Sequence, residues 1–450
     1  DHRRPPSSRR KGLSMVDYPS CAIIVGLLFL LLLCGMPIAF ALMGAGIFGL
    51  ILTRGWAGAE FSLSTFPYSY VSNLSLVVVP LFLLMGNIAF SAGLSHRAFA
   101  AARLLIGNLA GGLAMAVVFG WAAFATACGS GVATAVTMGR IALPEMLKSR
   151  YSPWLASGCV AAGGTLGVLI PPSGVLVIYS IATQVSIIDL FVAALLPGIL
   201  TSIIYVIGIY VMVRVNPQLA PKVEIARLSR RDRIKTIAGA WQVVALFLVV
   251  MGTIYLGFGT ATEASAFGAI FAIILLLARR AAGTGKDLLD GLVDAAGTTA
   301  SVFALVIGAG LFSLGLATTQ VPGALAGAVA ALDLPPTVLV ALILLPYLVL
   351  GCFLDGISML LLTMPIVFPI ITKIGYNPII FGLLITKAVE IGAITPPVGL
   401  NAFAVKGIAP ELSLNQVFLG CVPFVIMEIF IVALLLIFPD LSLFLLNSMK

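Results

Sequence analysis

Two short stretches combine residue types suited to binding a cation in an apolar environment. They are GVLIPPSG at 167–174 and GAITPPVG at 392–399, each within a long apolar run. A Pro-Pro pair removes two backbone donors and ends a helix, which leaves carbonyl groups without their usual partners. At membrane depth such backbone is tolerated only where it is buried in protein or lines a cavity. The two stretches therefore predict two discontinuous helices, whose freed carbonyls can coordinate a cation and whose half-helix N-termini can face an anion.

Two further stretches interrupt apolar segments with small and polar residues. They are ATACGSGVATAVTMG at 125–139 and FLDGISMLLLTMP at 353–365. The glycines at 129 and 131 allow a tight reversal that exposes carbonyls and the Ser130 hydroxyl. Asp355 is a carboxylate in an apolar run, which is unfavourable unless it pairs with a cation or lines a water-filled cavity. We predict the tips of two re-entrant hairpins here, although a surface position for Asp355 at a loop end stays open.

The composition indicates the environment in which these residues work. Of 450 residues, 61% are hydrophobic and 9% are charged, whereas a soluble domain has about 25% charged residues. The sequence therefore predicts an all-α multi-pass membrane protein. The net charge of +8 comes from basic residues in loops between apolar segments, the positive-inside pattern, so we expect no nucleic-acid partner. Six cysteines without a CxxC pair and two distant histidines argue against a disulfide framework or a metal centre.

The two halves of the chain are related by an internal repeat. Residues 142–174 align with 367–399 without a gap, and every matched pair is separated by 225 positions. The matched pairs are Pro144 and Pro369, Tyr151 and Tyr376, Pro153 and Pro378, Gly167 and Gly392, Pro171 and Pro396, Pro172 and Pro397, and Gly174 and Gly399. Gly131 and Gly356 of the two hairpin tips have the same separation. This self-similarity predicts a duplication.

The repeat divides the chain into five parts. These are an N-terminal basic tail or linker (1–17), a first repeat (18–213), a basic link (214–242), a second repeat (243–438) and a C-terminal tail (439–450). The apolar run 21–52 would be about 48 Å long as one helix, which exceeds a hydrocarbon core of about 30 Å. Pro37 after Gly35 therefore predicts a break between two helices.

The distribution of charge predicts the orientation. Residues 214–235 carry seven Lys or Arg and two acidic residues, so we expect this link to be cytoplasmic. If the hairpin at 112–147 enters from the cytoplasm and that at 337–372 from outside, each half crosses the membrane an odd number of times and the halves have inverted topology. The basic tail 1–14 would then lie outside. That conflict disappears if Met15 is close to the native start or if 1–14 links to an upstream membrane subunit; a disordered tail fits equally well.

At these motifs the chain resembles the large membrane subunit, the DctM-like large permease, of the tripartite ATP-independent periplasmic (TRAP) transporters. The similar stretches are PLFLLMGNIAFSAG (80–93), GSGVATAVTMGRIALPEM (129–146), GVLIPPSGVLVIYS (167–180), GTATEASAFGA (259–269) and EIGAITPPVGLNAF (390–403). The resemblance extends from about residue 15 to 440. It implies a sodium-coupled elevator transporter of two inverted repeats in the bacterial inner membrane, with no cofactor besides the coupling sodium ions. It also implies two partners: a small four-helix membrane subunit and a periplasmic binding protein that delivers an organic acid.

Site roles follow from combining this resemblance with the motifs, because hard cations prefer oxygen ligands. We assign a first sodium site to the first tip and the first break, with Gly129, Ser130, Gly131, Gly167, Pro171 and Ser173. A second sodium site joins the second tip and the second break, with Asp355, Gly356, Gly392, Thr395, Pro396 and Gly399. The helix-breaking residues are Pro171, Pro172, Pro396 and Pro397. We expect the substrate between the tips, in contact with Ser130, Thr134, Ser173, Ser358 and Asn401.

Two charged residues near the second break have a structural interpretation. Lys387 and Glu390 are three positions apart on one helical face, so we expect them to pair with each other rather than to contact the substrate.

Other motifs argue against alternative functions. GAGIFG at 44–49 has the spacing of a dinucleotide fingerprint but lies inside an apolar helix, where it indicates close helix packing. GTGK at 283–286 lacks the first glycine of a phosphate-binding loop, so ATP is not the expected energy source. An intramembrane aspartyl protease would need a second aspartate opposite Asp355, and Asp294 lacks the accompanying motif, so we expect no enzyme. A stand-alone sodium–dicarboxylate or citrate symporter stays open, as does the choice among C4-dicarboxylates, sialic acids, other sugar acids and 2-oxo acids.

Overall fold

The structure is a computed structural model that describes residues 16–128, 131–221, 229–279 and 283–449. The tail 1–14, Met15, Gly129, Ser130 and part of the basic link lie outside these ranges. The described residues form helices and irregular connections. The helices are α1 (Tyr18–Leu33), α2 (Ile38–Val71), α3 (Val78–Ser91), α4 (Leu94–Ile106), α5 (Gly112–Cys128), α6 (Gly131–Lys148), α7 (Pro153–Leu169), α8 (Gly174–Thr183), α9 (Ile187–Val215), α10 (Arg230–Ala238), α11 (Trp241–Tyr255), α12 (Ala261–Ala278), α13 (Thr284–Thr319), α14 (Val321–Ala330), α15 (Pro336–Leu350), α16 (Gly356–Lys373), α17 (Pro378–Ala393), α18 (Leu400–Ile408), α19 (Leu414–Ile437) and α20 (Asp440–Ser448).

The first connection shows how local chemistry sets the helix ends. Asp17 caps α1 by accepting a hydrogen bond from the backbone N–H of Ser20, which satisfies one of the free donors of the first turn. The chain leaves α1 through Gly35 at φ +79°, a left-handed conformation that favours glycine. Pro37 then precedes α2, and the predicted break between two helices is confirmed. A second left-handed glycine, Gly55, bends α2 within its length.

The apolar helices are long enough for a multi-pass membrane protein. Among the described residues, seven helices have the length and composition to cross a bilayer, or nine if each of two bent pairs is one span. The bent pairs are α3 with α4, at 60°, and α7 with α8, at 43°. The α7–α8 bend lies at the Pro171-Pro172 pair, because these prolines stand between Leu169 and Gly174.

The helix boundaries of the two halves recur at the separation of 225 residues. Helix α6 and helix α16 begin and end at matching positions, and α7 and α8 match α17 and α18 to within one residue. Left-handed Arg150 corresponds to left-handed Gly375, and both Pro-Pro bonds are cis. The most extensive difference between the described parts of the halves is that the 36-residue helix α13 corresponds to the end of α2, a short 3-10 turn and α3. The inverted orientation of the halves stays a prediction.

Helices of each half pack against helices of the other half. Helix α13 lies along α2, and α12 packs against α3. Around the breaks, α18 of the second half packs against α6 of the first hairpin, and α8 of the first half packs against α16 of the second hairpin. Each hairpin therefore contacts the far limb of the other half's broken helix, and this arrangement brings both tips to one place.

Candidate functional site

The first break is buried, and the Ser173 hydroxyl within it forms a hydrogen bond with the backbone. Pro171, Pro172 and Ser173 are all buried, and the Ser173 hydroxyl accepts a hydrogen bond from the N–H of Leu176 at 3.3 Å. Ser173 thus acts as the N-cap of α8. Gly167 faces the first hairpin, since a methyl group added to it would lie 3.5 Å from the Thr134 side chain. The structure therefore brings Gly167 close to Thr134 of α6, and the sodium site predicted at the first tip and first break stays a prediction.

The second break is more open and is connected directly to the second tip. Pro396 and Pro397 are exposed, while the Thr395 hydroxyl donates to the carbonyl of Ile391 at 2.6 Å. The N–H of Gly399 donates to the carbonyl of Cys352 at 3.0 Å, and the Cys352 thiol donates to the carbonyl of Pro396 at 3.3 Å. Hydrogen bonds therefore join the segment before the second tip to the second break, and the sodium site assigned there stays a prediction.

Glycines allow this second junction to form. A methyl group added to Gly392 would lie 2.6 Å from the backbone of Gly351, a distance that only glycine permits here. The backbone of α17 just before the second break is thus in direct contact with the backbone that follows α15, just before the second tip.

Asp355 caps the second hairpin helix. Its Oδ2 accepts hydrogen bonds from the N–H groups of Ile357 and Ser358, both at 3.2 Å, and the residue is exposed. A carboxylate at this position also faces the positive end of the α16 dipole. Ser358 is buried within α16. Asp355 is therefore a helix cap whose second oxygen is available to a ligand.

Both tips line one small cavity. It measures about 50 Å³, and the residues in its wall include the predicted Gly131, Asp355, Gly356 and Asn401 together with Glu390. The other predicted substrate residues that the structure describes, Thr134, Ser173 and Ser358, are also buried but do not line this cavity. The cavity has room for an ion or a water molecule, which needs about 10–15 Å³, but not for an organic acid.

Helices of both halves meet at the wall formed by Gly131. A methyl group added to Gly131 would lie 2.9 Å from Glu390 Oε2. One added to Gly164 of α7 would lie 2.6 Å from Asn401 Nδ2 and 2.8 Å from the Gly131 carbonyl oxygen. The start of α6 therefore touches α7 of its own half and α17 and α18 of the other half. Gly129 and Ser130 of the predicted first site lie outside the described residues.

A buried ion pair lies one turn from this cavity. Lys387 Nζ is 2.7 Å from Glu428 Oε2 and donates to Glu428 Oε1 at 2.9 Å. Glu428 Oε1 also accepts from the Tyr205 hydroxyl at 2.7 Å and from the Thr165 hydroxyl at 3.0 Å. All four side chains are fully buried. They join α7 and α9 of the first half to α17 and α19 of the second.

This ion pair corrects the expected pairing of Lys387 with Glu390. Lys387 contacts Glu428 instead, because α19 packs against α17 and presents its carboxylate to the ammonium group at 2.7 Å. The structural role expected for Lys387 is compatible with the new partner, but Glu390 is left facing the cavity.

Comparison with known proteins decides the family. Residues 25–441 match the family described as "Tripartite ATP-independent periplasmic transporter, DctM component". The chain belongs to this family. It is therefore a component of a transporter rather than an enzyme, and the resemblance noted in the motifs is confirmed.

Relatives of this DctM-family chain carry several substrate names. A C4-dicarboxylate TRAP transporter large permease protein of Pseudomonas aeruginosa is 32% identical over 373 residues, covering 83% of this chain and 86% of the relative. A sialic acid TRAP transporter large permease protein of Vibrio cholerae is 30% identical over 415 residues, covering 92% and 96%. An ectoine TRAP transporter large permease protein of Halomonas elongata is 31% identical over 425 residues, covering 94% and 98%.

A solved structure shares the architecture. The YdaH transporter of Alcanivorax borkumensis aligns with a TM-score of 0.63 over 93% of this chain and 97% of that chain, at 14% sequence identity. At this identity the likeness shows the fold alone. The fold of the DctM-family chain is thus an all-helical membrane transporter fold.

The DctM-family chain also has a wider cavity away from the predicted residues. It measures about 530 Å³ and lies between α5, α9 and α11, with apolar walls that include Phe119, Ile199 and Phe247. Among the described residues of its lining, Ser202 supplies a single hydroxyl, so these walls offer apolar contact rather than coordination. The predicted site residues Gly131, Asp355, Gly356 and Asn401 line the smaller cavity between the tips and not this one.

The sequence patterns missed Glu428, Tyr205 and the position of Glu390 at the cavity. A signal for Glu428 was present, because it is the one carboxylate in the apolar run that forms α19. Ionisable residues in such runs are rare and usually have a specific partner. Tyr205 has no comparable signal, because its hydroxyl finds Glu428 only through the packing of α9 against α19.

Proposed function

We propose that this chain is the large membrane subunit of a sodium-coupled transporter in the bacterial inner membrane that takes up an organic acid. The observation that carries the proposal is the cavity between the tips, which Gly131 of one half and Asp355 of the other line together with the buried carboxylate of Glu390. Carboxylates, freed carbonyls and hydroxyls are suitable ligands for a hard cation. A cation at this place links the movement of the tips to the sodium gradient.

The partners in this proposal are those of the family. A small four-helix membrane subunit completes the membrane part, and a periplasmic binding protein delivers the substrate. The relatives named for C4-dicarboxylates, sialic acid and ectoine support a small carboxylate-bearing substrate. The cavity of about 50 Å³ is far below the roughly 300 Å³ at which pockets for small organic ligands begin. The tips must therefore part before the substrate enters.

The two halves support an elevator movement of inverted repeats. Helices α6, α7, α17 and α18 pack into one group around the cavity, whereas α2 and α13 pack along each other elsewhere. In the proposed cycle the first group carries the cation and the acid across the membrane against the second, with the basic link on the cytoplasmic side.

The test is uptake into proteoliposomes that contain this chain. We expect uptake of the acid to require an inward sodium gradient, the small subunit and the loaded binding protein, and to be unaffected by ATP. A thermal-shift screen of the binding protein against C4-dicarboxylates, sialic acids, other sugar acids and 2-oxo acids supplies the substrate. Undiminished uptake with no sodium on either side would contradict the coupling. Sodium-driven uptake by this chain alone would instead favour a stand-alone symporter.

A further inference from the structure

The wide cavity between α5, α9 and α11 is a groove that opens towards the bilayer. Its walls include Phe119 of α5, Ile203 of α9 and Val244 of α11, and these three side chains are between 46% and 57% exposed. The volume of about 530 Å³ lies within the range of roughly 300–1,000 Å³ that pockets for small organic ligands have. This apolar groove is therefore a concave site, rather than a flat lipid-facing surface, and it suits an apolar ligand.

The depth of the apolar groove corresponds to one leaflet of the bilayer. Along α9 the groove extends from Leu195 to Ile207, which is about 18 Å at about 1.5 Å per residue. Half of a hydrocarbon core of about 30 Å is about 15 Å. Ile207 lies towards the end of α9 that continues into the basic link, so the groove occupies the leaflet next to that link. A membrane-spanning helix of a partner would extend well beyond the groove, whereas an acyl chain fits its length.

An arginine stands at the end of the apolar groove next to the basic link. Arg97 of α4 donates from Nη1 to Gln242 Oε1 at 2.7 Å, and Gln242 directly precedes Val243 in the groove wall. Arg97 is half-buried, and it has no acidic partner among the residues that the structure describes. A guanidinium group is well suited to a phosphate, because two of its N–H donors can bind two phosphate oxygens at once.

A second arginine extends the positive charge along the same side of the helix. Helix α10 continues into α11 as one span, Arg230–Tyr255. Arg233 precedes Val244 by eleven residues, which is about three turns at about 3.6 residues per turn, so both lie on one face. Arg233 is exposed, and its Nη2 donates to the Leu104 carbonyl of α4 at 3.5 Å. Both arginines therefore lie beside α4 and below the open side of the groove.

We propose that the apolar groove binds an anionic phospholipid of the adjacent leaflet, with an acyl chain between α5, α9 and α11 and the phosphate on Arg97. Arg233 lies about 14 Å farther along the helix than Gln242 and adds positive charge to the headgroup region. Basic pockets between membrane helices on the cytoplasmic side are suited to anionic headgroups. The groove supplies the apolar part of such a site, and the arginine supplies the charged part.

The groove lies between helices that have different roles in the proposed transport cycle. Helices α5 and α9 pack against α7 of the group around the small cavity, whereas α11 packs chiefly against α12, on the side of α3 and α13. Side chains that interdigitate directly resist sliding, but an acyl chain can change its conformation as the helices move. We therefore expect the bound lipid to speed uptake. This consequence rests on the proposed sodium-coupled uptake, although the binding of the lipid does not.

The experiment measures lipid binding to the purified full chain in detergent. Native mass spectrometry and thermal unfolding are followed after addition of phosphatidylglycerol or of phosphatidylcholine with the same acyl chains. Ile203→Trp fills the groove, and its matched control is Ile274→Trp. These isoleucines are 50% and 54% exposed, and Ile274 of α12 does not line the groove. Arg97→Gln removes the proposed phosphate ligand, and its control is Arg231→Gln, because Arg231 lies on the opposite face of α10 from Arg233.

We expect the wild type to retain one phosphatidylglycerol molecule per chain, with about tenfold preference over phosphatidylcholine, and to unfold at a higher temperature when it is bound. Ile203→Trp should lose this lipid and Ile274→Trp should keep it. Arg97→Gln should lose the preference for phosphatidylglycerol, whereas Arg231→Gln should retain it. Equal lipid retention in the two tryptophan variants would indicate ordinary contact with the bilayer and overturn the site. If Ile203→Trp cannot be recovered from membranes, Val244→Trp on the facing wall decides on the same measurements.

The small membrane subunit provides a test against a protein occupant. Wild-type chain that is purified together with the small subunit should keep its bound phosphatidylglycerol, and Ile203→Trp should still assemble with that subunit. If the small subunit displaces the lipid and Ile203→Trp no longer assembles with it, the groove is a subunit interface and the lipid site is rejected.

The uptake assay separates this inference from the proposed function. Sodium-driven uptake by the wild type should be several-fold faster in vesicles that contain phosphatidylglycerol than in pure phosphatidylcholine, and this difference should shrink in Ile203→Trp but not in Ile274→Trp. Sodium-driven uptake without specific lipid binding rejects the site and retains the transporter. Specific lipid binding by a protein whose uptake ignores sodium retains the site and rejects the coupling.

Discussion

Lys387 and Glu390 lie one turn apart on α17, and their buried side chains differ in their ion-pair and hydrogen-bond partners. The Lys387 ammonium group has both oxygens of Glu428 within 2.9 Å, and Glu428 has two further hydroxyl donors. Glu390 Oε2 makes no hydrogen bond with the described residues. A fully satisfied buried network rigidifies the packing of helices, whereas an unpaired buried polar group is unfavourable. Among the described residues, a satisfied and an unsatisfied buried charged side chain thus lie within a single turn of helix.

The two breaks differ in a similar way. The first has both prolines buried and its serine engaged as a helix cap. The second has both prolines exposed, and the Pro396 carbonyl accepts a hydrogen bond from the Cys352 thiol, which lies just before the second tip. The repeat therefore supplies two equivalent backbones, of which the second is the more exposed. Variants that remove a partner from a satisfied group, or that change the residues around the cavity, test this comparison.

The largest effect is expected from Lys387→Met. This change leaves the Glu428 carboxylate buried without its cation, which typically destabilises a protein by about 3–5 kcal/mol. Thermal unfolding of the purified variant should show this loss. Adding Glu428→Gln should restore most of it, because the charge is then gone and a carbonyl oxygen still accepts from Tyr205 and Thr165.

The matched control is Arg103→Met, which breaks the ion pair of Arg103 with Glu145. Those side chains are 34% and 33% exposed, and such pairs contribute about 0–1 kcal/mol. If Lys387→Met destabilised the protein no more than Arg103→Met does, the buried network would not be the structural element proposed here.

An intermediate effect is expected from Gly164→Ala. Its control on the same helix is Gly167→Ala, which is compared for thermal stability alone because Gly167 is assigned to the first sodium site. The added methyl group at Gly164 would lie 2.6 Å from Asn401 Nδ2 and 2.8 Å from the Gly131 carbonyl, so the cavity wall must shift. Overpacking of this kind costs about 1–3 kcal/mol, and sodium-dependent stabilisation should weaken. At Gly167 the nearest atoms are 3.5 Å away, so alanine should be tolerated. Equal effects of the two substitutions would contradict the described wall.

The local parts of this site could be predicted from the sequence, and the long-range parts could not. Pro-Pro pairs and Gly35 with Pro37 act through neighbouring backbone, so their consequences can be recognised in a short window. The partner of Lys387 is 41 positions away on another helix. Spacing along α17 favoured Glu390, but the packing of α19 supplied a nearer carboxylate. Likewise, nothing in a single half indicates that Gly131 faces Glu390 of the other half.

The smallest effect on stability is expected at Asp355, where the two roles of a carboxylate can be separated. As the N-cap of α16 its Oδ2 accepts two backbone hydrogen bonds at 3.2 Å. Asn caps a helix about as well as Asp, while Ala costs about 1 kcal/mol. Asp355→Asn should therefore leave thermal stability in sodium-free buffer within a few tenths of a kcal/mol of the wild type, and Asp355→Ala should lower it.

The sodium dependence of uptake should respond differently, because a cation at the second tip needs the charge and not only the cap. Both Asp355 variants should raise the sodium concentration for half-maximal uptake, by similar factors, despite their different stabilities. If Asp355→Asn shifted neither quantity while Asp355→Ala shifted only stability, Asp355 would be a helix cap alone. Glu390 would then be the remaining carboxylate in the wall of the cavity between the tips. That result would sharpen the contrast between unpaired Glu390 and paired Lys387, one turn apart on α17.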